Sequence, residues 1–246
     1  MRDAWRHFAA EFIGTFALVF VGSATIITSP MLSQQAAVVN IALAHGLILS
    51  IMITATMRIS GHLNPAVTAA FLATRRIEAM MAVVYWIAQF SGAVVAAYLL
   101  KALYPAKIVS LTQLGGQAIS IDIGLWQAIL LEAVATFFLV FAVWGTAVDP
   151  KAPKVGGFAI GLTLTAAIFA IGPLTGGSLN PARSFGPALA LQHFEGQVAY
   201  WVGPLLGGIV AGLLYEKLLL PREIEPADHG TVRPESAAEV ERQRPR

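Results

Sequence analysis

Asn64-Pro65-Ala66 and Asn180-Pro181-Ala182 are the residues whose types and spacing most directly imply chemistry in this chain. Asn is among the strongest helix N-caps, and Pro is favoured at the first helical position, where no amide hydrogen is needed. Each triplet opens a short apolar run, 64–74 and 180–191, and so predicts the start of a short helix. Such a helix carries roughly half a positive charge at its N-terminus. Two such ends can hold an anion, as in transporters with broken helices, or repel cations along a water-filled pore. Two ordinary capped turns are the plainer alternative. Four ionisable side chains also stand in apolar surroundings: Glu11, His45, Glu132 and Arg183. No nucleophile–base pair or metal-ligating cluster accompanies them, which argues against an intramembrane enzyme. The chain has no cysteine, hence no thiol catalysis, disulfide or cysteine metal site. No cofactor or metal is expected.

The elements that must carry these residues are membrane spans. Of the 246 residues, 57% are hydrophobic and only 12% charged, about half the ~25% charge of a soluble domain. Six stretches are long and nearly free of charge: 8–29, 36–57, 79–100, 124–147, 155–173 and 197–215. Each approaches the ~20 residues a helix needs to cross a bilayer. Glu11, and the length of the first stretch, argue against a cleaved signal peptide despite Arg2 and Arg6. With both termini inside, thirteen of the sixteen Lys and Arg fall on the inner side. Lys101 and Lys107 lie outside, and Arg183 follows the second triplet. The positive-inside rule therefore predicts cytoplasmic N and C termini. Residues 221–246, charged and poor in apolar residues, read as a disordered cytoplasmic tail.

The chain is also a duplication. Glu11-Phe-Ile-Gly-Thr-Phe-Ala-Leu-Val-Phe20 matches Glu132-Ala-Val-Ala-Thr-Phe-Phe-Leu-Val-Phe141, Leu63-Asn64-Pro65-Ala66 matches Leu179-Asn180-Pro181-Ala182, and Tyr85-Trp86 matches Tyr200-Trp201, in one order. Three spans per copy turn the second copy upside down. Asn64 then reaches the midplane from the cytoplasm and Asn180 from outside, each on a helix of roughly 15 Å, half the membrane. Irregular backbone at that depth is tolerated only where protein encloses it or it lines a water-filled path. Glu11 and Glu132 recur at one place in each copy, beside these loops. They read as structural carboxylates accepting loop amides, rather than as the proton-coupling acids that are the default inside membranes.

At these residues the chain resembles the aquaporin, or major intrinsic protein, family: His62-Leu-Asn-Pro-Ala-Val67, Gly176-Gly-Ser-Leu-Asn-Pro-Ala-Arg-Ser-Phe-Gly186, and Glu in the first and fourth spans. The likeness covers about 8–217. It implies four protomers, each with its own pore, and two Asn side chains donating hydrogen bonds to a passing water. That orientation, with two helix dipoles, disfavours proton relay. The resemblance also implies a four-residue selectivity filter, here His45, Ile168, Gly177 and Arg183. Arg183 remains protonated, repels cations and offers several donors; the alternative is an arginine snorkelling to the outer interface. Ser60-Gly61-His62 is one residue shorter than the family's usual loop. Setting the gap there keeps His45-Gly46 in register; setting it elsewhere brings Ala44 to the pore. His45 could instead be a packing residue, and His62 reads as support for its loop. The set is similar to the filter of some plant vacuolar-membrane aquaporins, which admit ammonia, although the loop histidine of those channels has no counterpart in 104–125. Ser184, Ala188, Tyr200 and Trp201 follow the water-channel pattern where glycerol channels differ.

The expectation is an all-α membrane protein with six spans and two re-entrant half-helices. It forms one domain over 1–220, with repeats at about 8–106 and 124–220. The reading is a passive channel for water and small neutral solutes such as ammonia, excluding protons and ions. A glycerol or small-polyol facilitator and a secondary transporter with broken helices are the alternatives. The expected setting is a homotetramer in the plasma (inner) membrane, binding no nucleic acid.

Overall fold

The computed structural model of the chain describes residues 3–153 and 155–220, and the segment read as a cytoplasmic tail lies outside them. Six long helices carry the apolar stretches: α1 Ala4–Thr28, α2 Gln34–Thr56, α4 Ala79–Leu103, α6 Leu125–Val143, α7 Gly156–Thr175 and α9 Gln197–Leu214. Two short ones follow the Asn-Pro-Ala triplets, α3 Pro65–Ala73 and α8 Pro181–Leu191. A further short helix, α5 Ala106–Leu111, lies in the connection between the repeats, where no helix was expected. All six long helices are long and apolar enough to cross a membrane. Many of their exposed side chains are large and apolar, Ile87 on α4 and Phe138 on α6 among them. In water such surface would be costly; against lipid or a neighbouring subunit it is not.

The inverted repeat is visible in how helices approach one another. Packing is most extensive between α6 and α9, α2 and α7, and α1 and α4. A Cβ on Gly92 would overlap the Phe12 carbonyl where α4 crosses α1, and one on Gly207 would overlap the Ala133 carbonyl where α9 crosses α6. These are equivalent positions of the two copies. Between copies, Gly46 lies against Thr165 and the Gly161 carbonyl, and Gly161 against Ser50 and the Gly46 carbonyl. That reciprocal pair sits on the pseudo-two-fold axis. Small residues at crossings are the means by which helices come close in lipid, where no hydrophobic force drives them together.

Each half-helix packs chiefly on a full helix of the other copy, α3 on α9 and α8 on α4. At the ends of α6 and α9, Trp144–Val148 and Tyr215–Leu219 widen into π-helical turns. There Glu216 accepts from Arg76 Nε at 2.7 Å and Nη2 at 2.9 Å, and from Trp144 Nε1 at 3.1 Å.

Candidate pore and outer constriction

The two half-helices start as the capping logic requires. Asn64 is extended, and its Oδ1 accepts from the Ala66 amide at 2.8 Å. Asn180 does the same for Ala182 at 3.0 Å and Arg183 at 3.2 Å. With each side-chain oxygen committed to its own helix, each Nδ2 points away from it. Asn64 Nδ2 donates to the Leu179 carbonyl and Asn180 Nδ2 to the Leu63 carbonyl, both at 2.8 Å. The copies are thus clasped at their midpoint, and one N–H of each asparagine remains for another acceptor.

Leu63 and Leu179 make this clasp possible at a conformational cost. Both have positive φ, 51° and 53°, a region a bulky side chain rarely adopts. Buried carboxylates hold them there. Glu11 accepts from the His62 amide at 2.8 Å, the Leu63 amide at 2.7 Å, Gln89 Nε2 at 2.7 Å and the Ser60 hydroxyl. Glu132 accepts from the Ser178 amide at 2.9 Å, the Leu179 amide at 2.7 Å and the Thr175 hydroxyl at 2.7 Å. Tyr200 adds a bond from its hydroxyl to the Thr175 carbonyl at 2.8 Å. The leucine before each triplet, present in both copies, was the sequence signal for this strained link.

A narrow cavity of about 20 Å³, by that measure the space of roughly one water, lies between the half-helix starts. Asn64, Asn180, His45 and Arg183 are in its wall with Ser178 and His62; much of the remainder is aliphatic, including Leu18, Leu49, Leu139 and Leu164. Those leucines were not anticipated as wall residues. Beyond His62 a wider vestibule of about 370 Å³ is lined by His62, Phe71, Arg76 and Tyr85, among others.

His45 and Arg183 meet directly at the other end. Arg183 Nη2 lies 2.8 Å from His45 Nε2, and His45 Nδ1 lies 2.8 Å from the Ile41 carbonyl. A carbonyl only accepts and a guanidinium only donates, so the partners fix the ring as neutral with its proton on Nδ1. Both residues are almost wholly buried, and Arg183 Nε and Nη1 have no partner among the described residues. Of the two registers open in the sequence, His45 and not Ala44 lines this cavity. Ile168 and Gly177 are neighbours of one another rather than of the cavity wall: a Cβ on Gly177 would lie 3.2 Å from Ile168 Cγ1. Gly177 also has φ of 56°, so its backbone calls for glycine as much as any space around it does. Ile168 already fills the place a side chain there would take. His62 bonds Thr68 Oγ1 through Nδ1 at 3.1 Å and packs on Phe71, in keeping with loop support.

The family model described as major intrinsic protein matches residues 1–215. The chain is 39% identical to the probable aquaporin TIP3-2 of Arabidopsis thaliana, over 94% of this chain and 90% of that one. It is 40% identical to aquaporin TIP2-1 of the same plant, over 87% and 88%. In fold it is similar to the aquaglyceroporin of Plasmodium falciparum, with a TM-score of 0.78 and 24% identity, covering 89% of this chain and 98% of that one. With two clasped half-helices in an inverted repeat of six apolar helices, and a family match over nearly all the described residues, this chain belongs to the major intrinsic protein family.

Proposed function

We propose that the chain is a passive channel for water that excludes ions and protons, and not an enzyme. The observation that carries this reading is the midpoint itself: Asn64 and Asn180 each keep one N–H free in the wall of a cavity the width of a water. A water held by two donors there can only donate to its neighbours on either side, which interrupts a proton wire. The two helix N-termini and Arg183 oppose cations at the same depth and at the outer end. The names of the relatives, aquaporins by sequence, agree with this.

The proposal extends to the finer features. His45, Ile168, Gly177 and Arg183 form the selectivity filter, His45 and Arg183 in the cavity wall and Ile168 with Gly177 packed together outside it, and Glu11 and Glu132 are structural. Residues 1–220 form one domain, since α3 and α8 each pack on the opposite copy. Four chains assemble through their apolar faces, and the charge asymmetry sets both termini in the cytoplasm. The plant relatives lend no support to a plasma-membrane location, so the reading is confined to membrane insertion and orientation. Ammonia is a second substrate, because Ile168 sets an aliphatic group where a polar one would favour water. Glycerol is disfavoured. Tyr200 anchors the loop before α8, and Trp201 stacks on Phe90 with centroids 5.2 Å apart, so neither place is open to a polyol.

The test is stopped-flow permeability of reconstituted liposomes to water, ammonia and glycerol, for wild type, His45→Phe and Ile168→His. Wild type should pass water and ammonia but little glycerol, and the variants should lose ammonia flux preferentially. An unchanged ammonia-to-water ratio would remove ammonia from the reading; glycerol flux rivalling that of water would make the chain a polyol facilitator.

A further inference from the structure

The ring of His45 owes its position to a residue on another helix that has no side chain. A Cβ on Gly22 would lie 2.6 Å from His45 Cδ2 and 2.8 Å from Cε1, and would overlap Nε2, the atom that accepts from Arg183. No van der Waals contact is that short, so a methyl group and the present ring cannot coexist. Leu18, one turn earlier on the same face of α1, reaches the cavity wall itself. Gly22 is buried and does not, because the His45 ring covers it. The ring therefore stands between α1 and the pathway.

The other copy shows what this place holds when no such arrangement is built. The positions equivalent to Gly22 and His45 are Val143 and Ile160, and both are in the wall of the cavity on its inner side. There each helix contributes its own aliphatic side chain. On the outer side α1 gives up its side chain, and a polar ring from α2 takes the space. The repeat is broken at this pair, and only on the side where Arg183 lies.

We propose that Gly22 is a positioning residue of the outer constriction, setting through His45 the aperture and the Arg183 bond on which selectivity depends; this rests on the channel reading above. With Nδ1 tied to the Ile41 carbonyl, a ring pushed off α1 moves toward the pathway and changes the geometry of its bond with Arg183. Gly22→Ala thus narrows the constriction and displaces the ring acceptor, so that water and ammonia, of nearly the same size, both pass more slowly.

The experiment compares water and ammonia permeability in liposomes carrying wild type, Gly22→Ala, His45→Ala and the double variant, with the amount of reconstituted protein measured in each. Gly22→Ala should lower water and ammonia flux several-fold. In the His45→Ala background the same methyl meets no ring, so the double variant should match His45→Ala in both quantities. Such non-additivity is the signature of one residue acting through another, and a general packing defect at Gly22 would not be repaired by removing His45. If Gly22→Ala fails to reconstitute while the double variant succeeds, the clash with the ring is again the cause. A double variant that is worse than His45→Ala in yield or flux, or a Gly22→Ala protein identical to wild type, overturns the proposal. Wild-type liposomes no more permeable than empty ones would instead overturn the channel reading.

Discussion

Arg183 is buried near the start of α8, and two of its three side-chain nitrogens lack a partner among the described residues. Unpaired donors in such a place cost free energy unless something transient satisfies them. A passing water or a carbonyl-like solute can do so; a cation cannot. Arg183→Val should therefore keep water conduction and raise the permeability of larger solutes or cations by about an order of magnitude, the effect of ~1.4 kcal/mol on a barrier. Flux assays with water, urea and potassium check this, and complete loss of water flux in correctly folded protein would show that the guanidinium holds the pore together instead. This residue was legible in the sequence because a charge right after a helix-capping triplet has few other reasons to be there. Its bond to His45 was not legible, since 138 residues separate the two and the contact depends on Gly22 on a third helix. Gly177 was read as a filter residue through the family resemblance, while its positive φ and its contact with Ile168 are set by a loop conformation that no local pattern announces.

At the scale of elements, hydropathy placed all six long helices to within a few residues, because twenty apolar residues in succession have one common explanation. The short ones came from Asn and Pro, whose preferences are local. Helix α5 and the π-helical turns escaped notice, as the first is too short for periodicity and the second are set by packing at the ends of α6 and α9. Helix crossings were not visible, since what Gly92 and Gly207 touch lies on helices distant in sequence. A Cβ at Gly207 would collide with backbone, the Ala133 carbonyl, which cannot rotate away. Gly207→Val should lower thermal stability in detergent by about 1–3 kcal/mol or more, the usual cost of overpacking. Gly145→Ala, whose Cβ would come no nearer than 3.4 Å to its closest neighbour, the Tyr215 side chain, should change it by no more than ~0.5 kcal/mol. Equal melting temperatures for the two variants would mean that α6 and α9 can separate freely.

For the whole molecule, the duplication determines what the pore can be. Inversion brings two positive helix ends and two asparagines to one point, and the reciprocal bonds of Asn64 and Asn180 hold them there. A chain without cysteine should pass water undiminished in mercurials at concentrations that leave empty liposomes intact; clear inhibition would place the pathway's sensitive group elsewhere than on a thiol. The central claim is that water moves while protons do not. It is tested by preparing liposomes with the purified protein and following, in one preparation, shrinkage under an osmotic step and internal pH after an acid pulse with potassium and valinomycin present. The account predicts water permeability far above that of empty liposomes, with proton entry no faster than theirs. Water permeability equal to that of empty liposomes at verified reconstitution, or proton entry rising with the water flux, would contradict it.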